Sequence, residues 1–225
     1  MSKFEQVLTV RASSVHLSDG FTAAGSTESE KKELFNEILR PEEVVIGSRH
    51  WLENDSNFLQ LIPSVVFRKP DGTVAWYNRI KGSGESRLVG NATTNFGGHI
   101  NTLDLQTFDE TFNLKKTIIN NIYREIEEEL GVNSDEITSS EFGNYFTEFK
   151  GFIFDSSNDV GLKHLGLLFV FDVEQDLEFD ASIAESEGML LKGWNTPDAL
   201  LIHHELDVIN LENWAKIVLE ALYNF

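Results

Sequence analysis

One segment of this chain has little freedom in what it can become. Leu114, Ile118, Ile122, Ile126 and Leu130 recur every four residues, and Gly131 follows. That period lays a single apolar stripe along an α-helix, and glycine just past the stripe stops it. Such a stripe must be buried against another layer, so the rest of the chain has to supply one. The same helix is crowded with acid. With Ile126 set at zero, Glu129 falls at roughly −60°, Glu125 at roughly −100° and Glu128 at roughly −160° around the helix. Three carboxylates therefore share one broad face, with Glu129 at the edge of the apolar arc. Glu127 lies on the other side of the stripe, towards solvent.

Two readings of that face stay open on spacing alone. One is a solvated acidic surface in an acidic chain. The other is a cation site. A carboxylate at a buried edge is costly unless paired or metal-bound, and three together repel one another. Oxygen-only ligands select a hard ion such as Mg²⁺ or Mn²⁺, and such ions serve phosphate chemistry.

The other elements read as follows. Gln6 to Val10 is a short strand, and Ser13 to Ser29 a polar loop. A helix with Leu34, Phe35, Ile38 and Leu39 on one face ends before Pro41. Phe58–Phe67, the turn Pro70-Asp-Gly72 and Thr73–Tyr77 form a hairpin. Strands are expected at 145–154, 164–173 and 188–194. Thr196 and Pro197 open a helix, and a last one from about Leu211 carries Trp214, Ile217, Val218, Ala221 and Leu222. Strands interleaved with helices predict an α/β layer fold.

Composition narrows the partners. Of 225 residues, 18 are Lys or Arg and 37 are Asp or Glu, a net charge of −19. A surface this acidic opposes binding to a nucleic-acid polymer or to anionic lipid. It leaves room for an anionic small molecule bridged by a cation. The chain has no cysteine, which excludes disulfides, thiolate metal sites and cysteine nucleophiles. Its start lacks the pattern of a secretory signal, and its longest apolar run, 165–171, is too short to span a bilayer, so a cytoplasmic location is expected.

Arg124-Glu125-Ile126-Glu127-Glu128-Glu129-Leu130-Gly131-Val132 resembles the second half of the Nudix box, Arg-Glu-U-x-Glu-Glu-x-Gly-U with U aliphatic. Gly97-Gly98 stands upstream at a strand end. Gln60–Pro63, Gly97–Ile100 and His164–Gly166 look like a bacterial branch of predicted phosphoesterases. The resemblance implies a Nudix-type α/β/α sandwich around a mixed β-sheet over residues 57–225. Residues 1–56 are then an N-terminal extension of strand, loop and helix packed on that core. It further implies Mg²⁺-dependent hydrolysis of a diphosphate linkage in a nucleoside diphosphate derivative or similar small molecule, with Mn²⁺ as an alternative ion. Glu125, Glu128 and Glu129 would hold the metal, and Arg124 would orient them by ion pairing. Dimerisation is common in that superfamily, so a homodimer is a further expectation.

The first half of the box departs from the pattern. Lys116 stands at the family's Glu position and Glu110 at its Gly position, and the stretch from Gly98 to Arg124 is longer than the family's. Either Asp104, Asp109 or Glu110 replaces the missing carboxylate, or the fold only binds a nucleotide or other ligand without turning it over. The family's usual extra carboxylate points to Glu185 or Glu187, the latter taken as catalytic; the competing reading is a solvated loop. Gly97, Gly98, His99, His164, Arg79 and Arg87 are candidate substrate contacts. His164 reads equally as a structural histidine, and His203-His204, with no third ligand nearby, as ordinary loop residues. Trp51, Trp76, Trp194 and Trp214 are expected in the core.

Overall fold

A computed structural model describes residues 5–82, 86–108, 111–133 and 148–223. The chain opens with β1 (Gln6–Arg11), followed by β2 (Gly20–Ala23) inside the stretch read as a loop. Helix α1 (Glu28–Ile38) starts at a capping box: Glu30 N–H donates to the Thr27 hydroxyl, and the Glu30 carboxylate accepts from Thr27 N–H at 2.9 Å. Strand β3 (Val44–Ser48) and the single turn α2 (Arg49–Leu52) come next, neither announced by sequence period. The hairpin forms as β4 (Phe58–Arg68) and β5 (Val74–Arg79), with Arg68 opposite Val74. Short strands β6 (Ala92–Thr93), β7 (Thr107–Phe108) and β8 (Thr111–Phe112) precede α3 (Leu114–Leu130), the predicted acidic helix. Then follow β9 (Phe149–Phe154), β10 (His164–Asp172), α4 (Ala181–Ser186), β11 (Met189–Asn195), α5 (Pro197–Glu205) and α6 (Asn213–Tyr223). Thr196 caps α5 with Pro197 at its first position, as the sequence indicates.

Among the described residues, nine strands form one sheet along the path β11-β5-β4-β10-β9-β2, with β1 and β6 joined to β4 and β5 and β3 joined to β1. The fold is α/β. The chain divides into two compact units that interleave along the sequence. The first is Met1–Ser64, Gly97–Arg124 and Glu141–Phe169; the second is Val65–Phe96, Glu125–Ser140 and Val170–Phe225. Strands β4 and β10 and helix α3 each contribute residues to both.

In the first unit β1 lies antiparallel to β3 (Leu8 opposite Ile46) and to β4 (Val10 opposite Leu59), and β9 lies between β2 and β10. Its core includes Leu8, Leu61, Ile100 and Ile118, and rings pack edge to face, Phe35 on Phe149 at 5.7 Å and Phe149 on Phe152 at 5.3 Å. In the second unit β5 is flanked by β11 and β6, and Phe67, Tyr77, Phe96 and Phe179 form the aromatic core. Trp194 stacks on Phe179, with the Lys69 ammonium 4.1 Å from its ring centre. The tryptophans depart from the expectation of core packing: Trp76, Trp194 and Trp214 are half-buried, and Trp51 is 73% exposed on the short α2, with His50 against its edge. A one-turn helix has too little buried face to cover an indole. No described helix is long and apolar enough to cross a membrane.

Candidate functional site

The apolar stripe of α3 is buried as its period requires: Ile118, Ile122, Ile126 and Leu130 are each 2% exposed or less. The acidic residues divide accordingly. Glu125 and Glu129, one turn apart and so on one face, are half-buried, whereas Glu127 and Glu128 are exposed. Gly131 ends the helix at φ +66°, its N–H donating to the Glu127 carbonyl. A Cβ there would lie 2.6 Å from Ile183 Cδ1 of α4, and Asp180 N–H donates to the Leu130 carbonyl. Helix α4 therefore abuts the end of α3 within the second unit.

The second unit also holds a part-buried cation. Arg79, at the end of β5, donates from Nε to Glu212 Oε1 at 2.5 Å, and Glu212 is 8% exposed. Burial by itself would lower the Arg79 pKa; Tyr77, Glu212 and Glu129 more than offset it and raise it. The Tyr77 hydroxyl, donating to the Asn95 carbonyl at 3.1 Å, is pushed up mainly by burial, with Arg79 opposing and Glu129 and Glu212 adding. Glu129 is thus electrostatically linked to Arg79 and Tyr77. Met189, the first residue of β11, lies opposite Arg79, and Glu187 sits two residues earlier as the C-cap of α4, exposed like Glu185. Arg87 is exposed on the short turn 86–88.

In the first unit, Gly97 has φ +124°, and a Cβ on it would stand 2.3 Å from the Pro63 carbonyl oxygen of β4. Only glycine lets the two backbones approach so closely. Gly98 and His99 follow, both half-buried. The next stretch is fastened to α3. Arg124 grips Asp104 with two bonds, Nε to Oδ1 at 2.8 Å and Nη2 to Oδ2 at 3.0 Å, and also donates to the His99 carbonyl. Asn121 donates to the same carbonyl at 2.9 Å and to Asp104 Oδ2 at 3.1 Å. Arg124 therefore fixes the segment that follows the glycine pair. Asp104, read as one possible replacement for the missing carboxylate, is 2% exposed with both oxygens engaged in this clamp. Asp109 and Glu110 lie outside the described residues.

The structure brings together two of the candidate histidines. His99 Nε2 and His164 Nε2 are 3.2 Å apart, and the rings meet edge to face. His164 Nδ1 lies 2.6 Å from the Val160 carbonyl. Glu53, which follows α2, joins them, with its ligand atom and those of both histidines within 4.8 Å of one another. Its carboxylate also accepts from Arg49 Nε at 3.3 Å. Burial first, then the charge of Arg49 and the neighbouring His164, holds the His99 imidazole well below its usual pKa and so neutral at pH 7. Glu53, Glu212 and Asn121 carry no motif that would have singled them out. His204 accepts from Leu211 N–H through Nδ1 at 3.4 Å, an ordinary loop-capping role, while His203 is half-buried on the same helix α5.

Two donor sets thus differ in chemistry. Glu125, Glu128 and Glu129 offer oxygen alone from one helix, the donor type a hard divalent cation prefers, but as placed their carboxylates do not gather within 4.8 Å of one another. Glu53, His99 and His164 offer one oxygen and two nitrogens.

No family model matches the chain. It is 32% identical to Protein YmaB of Bacillus subtilis (strain 168) over 172 residues, spanning 76% of this chain and 74% of that protein. Among solved structures it is similar to Tm1382, a candidate Nudix hydrolase, with a TM-score of 0.64 and 19% identity over 98% of this chain and 99% of Tm1382. At that identity the likeness is one of fold. DR0079 from Deinococcus radiodurans overlays more loosely, with a TM-score of 0.43 and 16% identity over 73% of this chain and 83% of its own.

Proposed function

Because the chain belongs to the family of Bacillus subtilis YmaB and has the Nudix fold, we propose that it is a hydrolase of diphosphate linkages that works with Mg²⁺. The observation that carries this reading is the triplet Glu125, Glu128 and Glu129 on one helix, two of the three half-buried. These side chains would hold the ion, and Mn²⁺ would fit the same oxygens. A divalent cation bound there would acidify a coordinated water and neutralise charge on phosphate oxygens.

The chain's own residues do the rest. The buried stripe of α3 and the stop at Gly131 fix the height and rotation of the three carboxylates. Arg79, held by Glu212 and linked to Glu129, keeps a positive charge beside that acidic face and would contact an anionic substrate. Glu187, at the end of the helix that abuts α3, is the candidate general base. Arg87 on its exposed turn would meet substrate phosphate. Arg124, through Asp104 and the His99 carbonyl, stiffens the backbone that follows Gly97 and Gly98, which would line the substrate side.

The substrate class is a small diphosphate such as a nucleoside diphosphate derivative, which an acidic surface can accept only through a bridging cation. The test is phosphate or nucleotide release from a panel of diphosphates with Mg²⁺ or Mn²⁺. Release that depends on the ion supports the reading. Nucleotide binding by calorimetry without release, even with Mn²⁺, would instead favour a binding module, the reading that Lys116 in the family's Glu position invites.

A further inference from the structure

We propose that Glu53, His99 and His164 form a second metal site in the first unit, selective for a zinc-class divalent cation. Its donors come from three separate stretches: the residue after α2, the segment after the glycine pair, and the start of β10. The ligand geometry supports it. Two nitrogens bound to one tetrahedral zinc at about 2.0–2.1 Å stand about 3.3–3.4 Å apart. The His99 and His164 Nε2 atoms are 3.2 Å apart already.

The tautomer of His164 is fixed independently. A carbonyl can only accept, so the 2.6 Å contact from Nδ1 to Val160 places the proton on Nδ1 and turns the Nε2 lone pair towards His99. A carbonyl behind a ligating imidazole is the usual support of a metal-bound histidine. The support is itself rigid. Val160 precedes the tight turn Gly161–Lys163, and Gly161 packs so closely on the Asp155 carbonyl that a Cβ would lie 1.9 Å from it.

Charge also favours a cation. Arg49 binds both Glu5 and Glu53, at 3.1 and 3.3 Å, so its guanidinium is shared between two carboxylates and does not claim Glu53 alone. The nitrogen donors distinguish this site from the triplet on α3. Imidazole suits zinc and its neighbours, whereas Mg²⁺ prefers oxygen. Three protein ligands leave a fourth position for water or another ligand, the open arrangement of a zinc centre with two histidines and one glutamate. This inference does not depend on the proposed hydrolysis.

The competing explanation is an ordinary hydrogen bond from His99 Nε2–H to His164 Nε2. The experiment is titration of the full chain with Co²⁺ in excess Mg²⁺, read by visible absorption and by competition with Zn²⁺. The expected result is one equivalent with a tetrahedral spectrum that Zn²⁺ abolishes. His99→Asn and His164→Asn should each weaken binding by about 100-fold, and Glu53→Gln by about 10-fold. Glu128→Gln should leave the spectrum unchanged, which separates this site from the triplet on α3. Circular dichroism checks that the variants fold. ¹⁵N spectra of the wild type settle the matter if they do not, since zinc should shift both Nε2 signals. The proposal is overturned if Mg²⁺-saturated protein takes up neither ion. It also fails if the spectrum survives in folded His99→Asn and His164→Asn, or if excess zinc leaves the His99 Nε2 proton in place.

Discussion

The acidic face of α3 and the Glu53–His99–His164 cluster assemble their donors in opposite ways. The first takes all of its donors from five consecutive residues of one helix, so helical geometry alone sets their spacing. The second takes one donor from each of three stretches, and its two histidines lie 65 positions apart in the chain. The first is cheap to build and tolerant, because any helix in this register presents the same face. The second depends on several elements being correctly placed, and a small shift of one element would spoil it. What the second gains is chemical selectivity, since mixing imidazole with carboxylate requires reaching across the chain.

That contrast can be broken by experiment. Glu128→Gln and Glu129→Gln should each lower Mg²⁺-dependent turnover by on the order of 10²–10³-fold, measured as kcat on any accepted diphosphate. Unchanged turnover in both would sink the role given to the α3 face. Arg79→Met leaves the Glu212 carboxylate buried without its partner and should cost about 3 kcal/mol in urea denaturation. Adding Glu212→Leu should recover most of that loss, and no recovery would show that the ion pair is not what Arg79 contributes.

Backbone placement gives a finer test of the idea that the cross-chain site is the more brittle. Gly97→Ala drives a Cβ into the Pro63 carbonyl in a left-handed conformation and should cost about 2–3 kcal/mol. Gly131→Ala meets the movable end of Ile183 at 2.6 Å and, less closely, the Asp180 Cβ at 3.2 Å, with no backbone carbonyl in its way, and should cost about 1 kcal/mol. Equal losses in thermal unfolding would refute the distinction. Asp104→Asn should fall between these two, at about 1.5 kcal/mol, because Arg124 keeps its bond to the His99 carbonyl. If Co²⁺ affinity drops in this variant along with stability, then the clamp positions His99 as well as the loop.

How much of this was legible in the sequence follows from the same contrast. The helix, its stop and its acidic face could be read because each rests on contacts within a turn or two. The capping residue Thr196 and the hairpin of β4 and β5 were legible for the same reason. Strands β2 and β3 and helix α4 were not: they are short, partly polar, and defined by pairing partners far along the chain. The meeting of His99 with His164 was invisible because no period connects them, and Glu53 had no motif at all. Asp104 looked like a spare carboxylate for a cation because its pairing with Arg124 depends on how the chain between them folds back. Trp51 looked like a core residue because indoles usually are, and only the shortness of α2 leaves it outside.

The clamp on α3 also bears on how this chain can change. Asp104 is tied to Asn121 and Arg124, and two residues later Gln106 N–H donates to the Thr117 hydroxyl while its carbonyl accepts from Asn113 N–H. The stretch after Gln106 therefore leaves and rejoins the body at fixed points, as the small ladder of β7 and β8 shows. Doubling the length of such a closed excursion costs only about 0.6 kcal/mol in chain entropy. The bonds from Asp104 and Gln106 to α3 thus hold that helix's rotation independently of what the chain carries beyond β7.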